Sequence, residues 1–152
     1  MEPIRVLFVC HGNICRSPMA EFVMKDLVRD KGLEDWFVIA SAATSAEEIG
    51  NDVHHGTKRM LDRMGVPYER RAARRLRGGD ATAWDYLIGM DEANMRNMRR
   101  MLGSAADGKL YKLLEFAGET GDVADPWYTG DFEATYDDVL AGCRGLLAHL
   151  GF

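Results

Sequence analysis

The stretch Ile4-Arg5-Val6-Leu7-Phe8-Val9-Cys10-His11-Gly12-Asn13-Ile14-Cys15-Arg16-Ser17-Pro18 decides how this chain folds. Ile4 to Cys10 is rich in β-branched and aromatic side chains and runs into His11-Gly12-Asn13, the pattern of a buried strand entering a turn. After the turn, Pro18 suits an early helical position and Ser17 is available to cap. Ala20, Val23, Met24, Leu27 and Val28 then recur at the helical interval until Lys31-Gly32 closes the last turn. Strand, tight turn and helix in this order open an α/β unit.

The rest of the chain extends the same alternation. Trp36 to Ala40 reads as a second strand, with Ser41 to Ser45 as the loop at its C-terminal end. His55 to Met64 reads as a short helix closed by Gly65. Arg70 to Gly79 holds five arginines and little apolar material, which predicts a solvated connection. Tyr86 to Met90 is a third strand ending in Asp91, followed by a surface helix carrying Met95, Met98 and Leu102 on one face. Leu110 to Phe116 is a fourth strand with a weaker pattern. From Asp131 onward, Phe132, Tyr136, Val139, Leu140, Cys143, Leu147 and Leu150 form the best helical stripe in the chain. The expected fold class is α/β: a single three-layer domain over residues 1–152, with a central parallel sheet of about four strands and helices on both faces. In such a domain ligands sit at the C-terminal ends of strands.

Composition narrows the function. With 152 residues, 47% hydrophobic side chains and a net charge of −5, the chain suits one ordinary core and argues against a nucleic-acid partner, which needs a basic surface. The apolar run at Val6 to Cys10 falls far short of the roughly 20 residues of a membrane span. The opening Met1-Glu2-Pro3-Ile4-Arg5 lacks the basic start of a signal peptide, so a cytoplasmic location is expected. The odd count of 3 cysteines then predicts reduced thiols with a chemical role.

Cys10-His11-Gly12-Asn13-Ile14-Cys15-Arg16-Ser17 lies where the first strand becomes the first helix. A loop there points successive backbone N–H groups inward beside the positive end of a helix dipole, which makes an anion cradle. Gly12 and Asn13 are the residues best able to take the left-handed conformations that such a loop needs. Cys10 falls at the base of the cradle, where the positive field favours a thiolate, and Arg16 falls on its rim after five intervening residues. Arg16 can hold two phosphoryl oxygens with its planar fork, and Ser17 can donate a hydrogen bond to the sulfur. A nucleophile beneath an anion cradle predicts phosphoryl transfer.

The set Cys10, Gly12, Asn13, Cys15, Arg16, Ser17 and Pro18 resembles the C-x-G-N-x-C-R-S-P signature of the low-molecular-weight protein tyrosine phosphatases. Asp125-Pro126-Trp127-Tyr128 resembles that family's distal Asp-Pro followed by aromatics, and the likeness covers essentially the whole chain. The resemblance implies a phosphocysteine mechanism on tyrosine-phosphorylated proteins, without cofactor or metal, with a cognate tyrosine kinase as a further partner. It makes Cys10 the nucleophile, Arg16 the phosphate-binding residue and Asp125 the general acid and base. It places His11, Gly12, Asn13, Ile14, Cys15, Ser17, Glu47, Trp127 and Tyr128 around the substrate and Ser41 in support of Asn13. It also makes Cys15 a neighbouring thiol able to protect Cys10 by a disulfide. Three departures stand out: Arg71 replaces a frequent His, Trp127 replaces a common Tyr, and Glu47 beside Glu48 replaces an aromatic, putting negative charge where a peptide docks.

Other readings are weaker. A protein-arginine phosphatase favours Thr where this chain has Ile14, and arsenate reduction needs cysteines that are missing between Cys15 and Cys143. A non-catalytic phosphate binder has no need of Asp125. His54-His55 suggests a metal, but neighbours on a regular element point apart and no further ligand completes a set. Cys143 falls on the apolar stripe and belongs to the core.

Overall fold

The computed structural model describes residues 2–152. Strands β1 (Ile4–Cys10), β2 (Phe37–Ala43), β3 (Tyr86–Gly89) and β4 (Leu110–Lys112) form one parallel sheet in the order β2-β1-β3-β4. Helices α1 (Arg16–Asp30), α2 (His55–Arg63), α3 (Asp80–Ala83), α4 (Glu92–Leu102), α5 (Pro126–Thr129) and α6 (Phe132–His149) complete a single α/β domain of the expected class.

The central strand explains the layers. Val6, Phe8 and Cys10 of β1 join a core with α1 and α6 on one face, and Leu7 and Val9 join a second core with Met95, Met98 and Leu102 of α4 on the other. Both faces of β1 are covered, so its sequence is continuously apolar rather than alternating. At the far end, α6 rests directly on the 3₁₀ turn Leu113–Ala117, where a β-carbon on Gly145 would lie 2.0 Å from the Phe116 carbonyl oxygen. Gly145 is therefore a close-approach position inside a helix.

Several local expectations are corrected. Ser41, Ala42 and Ala43 belong to β2 rather than to the loop after it, while Trp36 falls in the 3₁₀ turn before it. Pairing with β1 continues to Cys10 opposite Ala43, which prolongs the strand. Only Leu110–Lys112 is strand, because the chain then turns into 3₁₀ conformation to meet α6. Ser17 is inside α1 rather than capping it; the helix begins after Cys15 with no side-chain cap, and the hydroxyl points back to the loop.

Candidate active site

The β1–α1 loop sits at the C-terminal ends of the two central strands, where the sheet order sends connections to opposite sides. Cys10 ends β1 and is 3% exposed. Its Sγ accepts from the backbone N–H groups of Asn13 at 3.3 Å and Ser17 at 3.4 Å, and lies 3.0 Å from the Ser17 hydroxyl.

Asn13 organises the loop. It is the one non-glycine residue with positive φ among the described residues, at 59°, whereas Gly12 stays outside the left-handed region, contrary to the sequence expectation. The Asn13 amide is fully used. Its Nδ2 donates to Ser17 Oγ at 2.8 Å and Ser41 Oγ at 2.9 Å, while its Oδ1 accepts from the Arg74 backbone N–H at 3.3 Å. Ser41 in turn donates to Glu21 Oε1 at 2.6 Å. With Asn13 holding its oxygen from the other side, the Ser17 hydroxyl is free to direct its proton at Cys10.

The arginine-rich connection is part of this support rather than a solvated link. Arg71 donates to the Asn13 carbonyl oxygen, Arg74 pairs with buried Asp80 at 3.0 Å, and Ala73 and Leu76 are buried. Arg71, which stands where the family often has His, thus supports the Asn13 carbonyl with its guanidinium. Asp52 anchors the same segment by accepting from the Arg71 backbone N–H at 3.1 Å.

Arg16 is 2% exposed and does not stand on a rim. Its guanidinium donates to Asp91 Oδ2 at 2.7 Å, to the Val123 carbonyl oxygen at 3.0 Å and to Asp125 Oδ2 at 3.3 Å. Burial works against its charge, but the Cys10 thiolate, the Asp91 hydrogen bond and Asp125 outweigh that cost and hold its pKa above the ordinary value. Asp91 is the site residue that sequence reasoning missed. It lies two residues beyond the third strand and caps α4, its Oδ1 accepting from Asn94 N–H at 2.7 Å while its other oxygen orients Arg16. The available signal was Asp91 three residues before Asn94 at a strand end, a capping pattern at the edge where ligands bind.

A cleft of about 110 Å³ opens above this loop, lined by Cys10, His11, Gly12, Ile14, Cys15 and Arg16 from the loop, Glu47 and Glu48 from one side, and Asp125, Trp127 and Tyr128 from the other. Asn13, Ser17 and Ser41 lie behind the loop. Asp125 caps α5 through Oδ1, which accepts from Trp127 N–H at 3.1 Å. Trp127 and Tyr128 stand out at 58% and 82% exposure, and Glu47 meets His11 at 3.2 Å. Cys15 is a free thiol pushed up to about 12, first by burial and then by the charges of Cys10 and Asp125, so it is held protonated. The His54 and His55 rings do not point apart: they stack at 4.2 Å, because His54 lies just before α2, outside regular structure.

Fold and site together define a cysteine-centred anion cradle at the switch point of a doubly wound parallel sheet, faced by a carboxylate on a separate loop. The family model described as low molecular weight phosphotyrosine protein phosphatase matches residues 5–151, and the chain belongs to that family. The low molecular weight protein-tyrosine-phosphatase YfkJ of Bacillus subtilis is 41% identical over 149 residues, covering 97% of this chain and 96% of the relative. PtpA of Staphylococcus aureus is 36% identical over 148 residues, with 97% and 94% covered. The crystal structure of YfkJ matches this fold with a TM-score of 0.95 at 40% identity, covering 99% of this chain and 96% of that one. That of the phosphatase SP-PTP from Streptococcus pyogenes matches with a TM-score of 0.89 at 42% identity, covering 98% and 94%.

Proposed function

We propose that residues 1–152 act as one catalytic domain, a protein tyrosine phosphatase that hydrolyses phosphotyrosine monoesters through a phosphocysteine intermediate. The observation that carries this reading is the convergence on one cleft of the Cys10 sulfur and the Arg16 guanidinium, with Asp125 Oδ2 3.3 Å from the latter. In the first step Cys10 Sγ attacks phosphorus, the S–P bond forms and the P–O bond to the phenol breaks. Asp125 gives its proton to the departing oxygen, because expelling an unprotonated phenolate is costly. Arg16 and the loop N–H groups hold the phosphoryl oxygens as charge spreads over them. In the second step the Asp125 carboxylate takes a proton from water, the water oxygen attacks phosphorus, and the S–P bond breaks to release phosphate and thiolate.

Every proton and electron pair in this cycle is accounted for by these residues, substrate and water, so the reading calls for no cofactor. The exposed rings of Trp127 and Tyr128 flank the route to Cys10 and suit an aryl group, while phosphoserine is shorter and reaches less far. The substrates are tyrosine-phosphorylated proteins, and a cognate tyrosine kinase supplies them. The free thiols suit the reducing cytoplasm, and no helix among the described residues is long and apolar enough to cross a membrane.

The test is hydrolysis of an aryl phosphate by the purified chain with chelator present, comparing wild type, Cys10→Ser and Asp125→Ala. Turnover should vanish in Cys10→Ser and fall by roughly 10²–10⁴ in Asp125→Ala. Phosphate binding without turnover in reduced wild type overturns the enzyme reading, and a clear preference for phosphoarginine over phosphotyrosine overturns the substrate class.

A further inference from the structure

His54 makes contacts that no step above uses. Its backbone N–H donates to the carbonyl oxygen of Ile14, within the Cys10–Ser17 loop, at 2.8 Å. Its ring carries contacts of another kind. Nδ1 accepts from Gly56 N–H at 3.0 Å, which fixes the ring plane and leaves the ring proton on Nε2. So held, the ring stacks on Phe132 at 5.5 Å with 14° between planes, and meets Trp127 edge-on at 5.6 Å and 77°.

Those two partners lie on the segment that follows Asp125. Trp127 is two residues after Asp125 and donates its backbone N–H to that carboxylate, and Phe132 begins the helix into which the loop runs. The Phe132 ring lies directly over Gly56, where any β-carbon would collide with it. One residue therefore touches the Cys10 loop with its backbone and, with its ring, both Trp127 in the short helix after Asp125 and Phe132 at the start of the helix that follows. Aromatic contacts of this geometry stabilise beyond the area they bury and so bias where an exposed loop rests.

From this juxtaposition we infer that His54 is a positioning residue for the general acid: it sets the distance of the Asp125 loop from Cys10 through Trp127 and Phe132. The inference rests on the proposed assignment of Asp125. It assigns a task to a histidine whose sequence context had suggested only a metal.

The experiment separates positioning from mere folding. His54→Asn keeps a helix-capping acceptor and removes the ring, whereas His54→Phe keeps the ring and removes the acceptor. The readout is kcat/KM for phenyl phosphate, whose leaving group needs a proton, against 2,4-dinitrophenyl phosphate, whose leaving group does not. In His54→Asn the ratio of the two should fall by about 10-fold, within the 10² that roughly an ångström of misplacement costs, and His54→Phe should restore most of it. An unchanged ratio in His54→Asn, or an equal loss on both substrates, overturns the inference. Asp125→Ala is run beside them: if it leaves the ratio unchanged, the assignment of the acid fails, whereas a changed ratio there with none in His54→Asn condemns the positioning role alone.

Discussion

The two halves of the cleft are held by opposite means. The Cys10 loop is secured from inside: Asn13, Ser17 and Ser41 are buried, both amide protons of Asn13 are committed, and the sulfur sits among three donors. The Asp125 loop is secured at its root and, up to Asp125, by Arg16 and Thr135, and is open beyond. Lys112 Nζ donates to the Thr120 carbonyl oxygen at 2.8 Å and to Asp122 at 2.9 Å, Val123 N–H donates to the Met90 carbonyl oxygen at 2.9 Å, and beyond Asp125 the residues Trp127 to Gly130 are exposed. A cradle for a fixed anion gains from rigidity, because preorganised donors need not reorient as charge develops. A wall that receives a variable partner has less to gain, and its side chains can differ without disturbing the loop below.

The largest effect is expected where the two halves meet. Among the described residues Arg16 alone hydrogen-bonds to both Val123 and Asp125, and its fork is oriented from behind by Asp91. Arg16→Lys keeps the charge and loses the fork, so kcat/KM for an aryl phosphate should fall by on the order of 10²–10³, with the fold intact by circular dichroism. A loss below tenfold means that the planar geometry is not what matters.

A smaller change should divide the halves. Lys112→Met removes the root of the acid loop, where the ammonium is held above its ordinary pKa first by its hydrogen bonds to Asp122 and Glu92, against the cost of desolvation. Turnover of phenyl phosphate should drop roughly 3- to 10-fold through a less well placed carboxylate. The inhibition constant of inorganic phosphate, which reads the cradle alone, should stay within about twofold, since the cradle's donors lie on the other loop. Equal weakening of both shows that the loops are one mechanical unit.

The same contrast explains what could be read in the sequence. The cradle was legible because its residues are contiguous and its requirements local: a buried strand, a left-handed Asn13 and a helix start, all within Ile4 to Pro18. Asp125 was legible only through resemblance, since nothing local distinguishes it from a turn aspartate. Asp91, Arg71 and His54 escaped because each acts across the fold, on Arg16, on the Asn13 carbonyl and on Trp127, at separations that no periodicity reports. The arginine run read as solvent-facing since a count of charges is blind to the buried acceptors facing Arg71 and Arg74. The fourth strand was overextended because apolar Leu113 and Leu114 suit a 3₁₀ turn beneath α6 as well as they suit a strand.

The smallest expected effect lies at the outermost tether of the cradle. Asp52 accepts from Lys58 Nζ at 2.7 Å and from the backbone N–H groups of Val53 at 2.8 Å and Arg71 at 3.1 Å. The Lys58 hydrogen bond first, and then those of the backbone, outweigh desolvation and lower its pKa from 3.8 to about 2. A carboxylate with a lowered pKa in the folded state binds fewer protons there than in the unfolded chain. Its contribution is therefore present in full above the unfolded value and is lost as pH falls from about 4 toward 2. Asp52→Asn should lower Tm by roughly 1–3 °C near neutrality, as befits a partly exposed pair in a chain of this size. The gap from wild type should narrow as pH is lowered below about 4, where wild type loses the same charge. A gap that stays constant from about pH 6 to pH 3 shows that the tether works through shape rather than charge. Because Asp52 holds Arg71 and Arg71 holds Asn13, activity should change less than Tm if the buried amide network suffices alone to keep the cradle in shape.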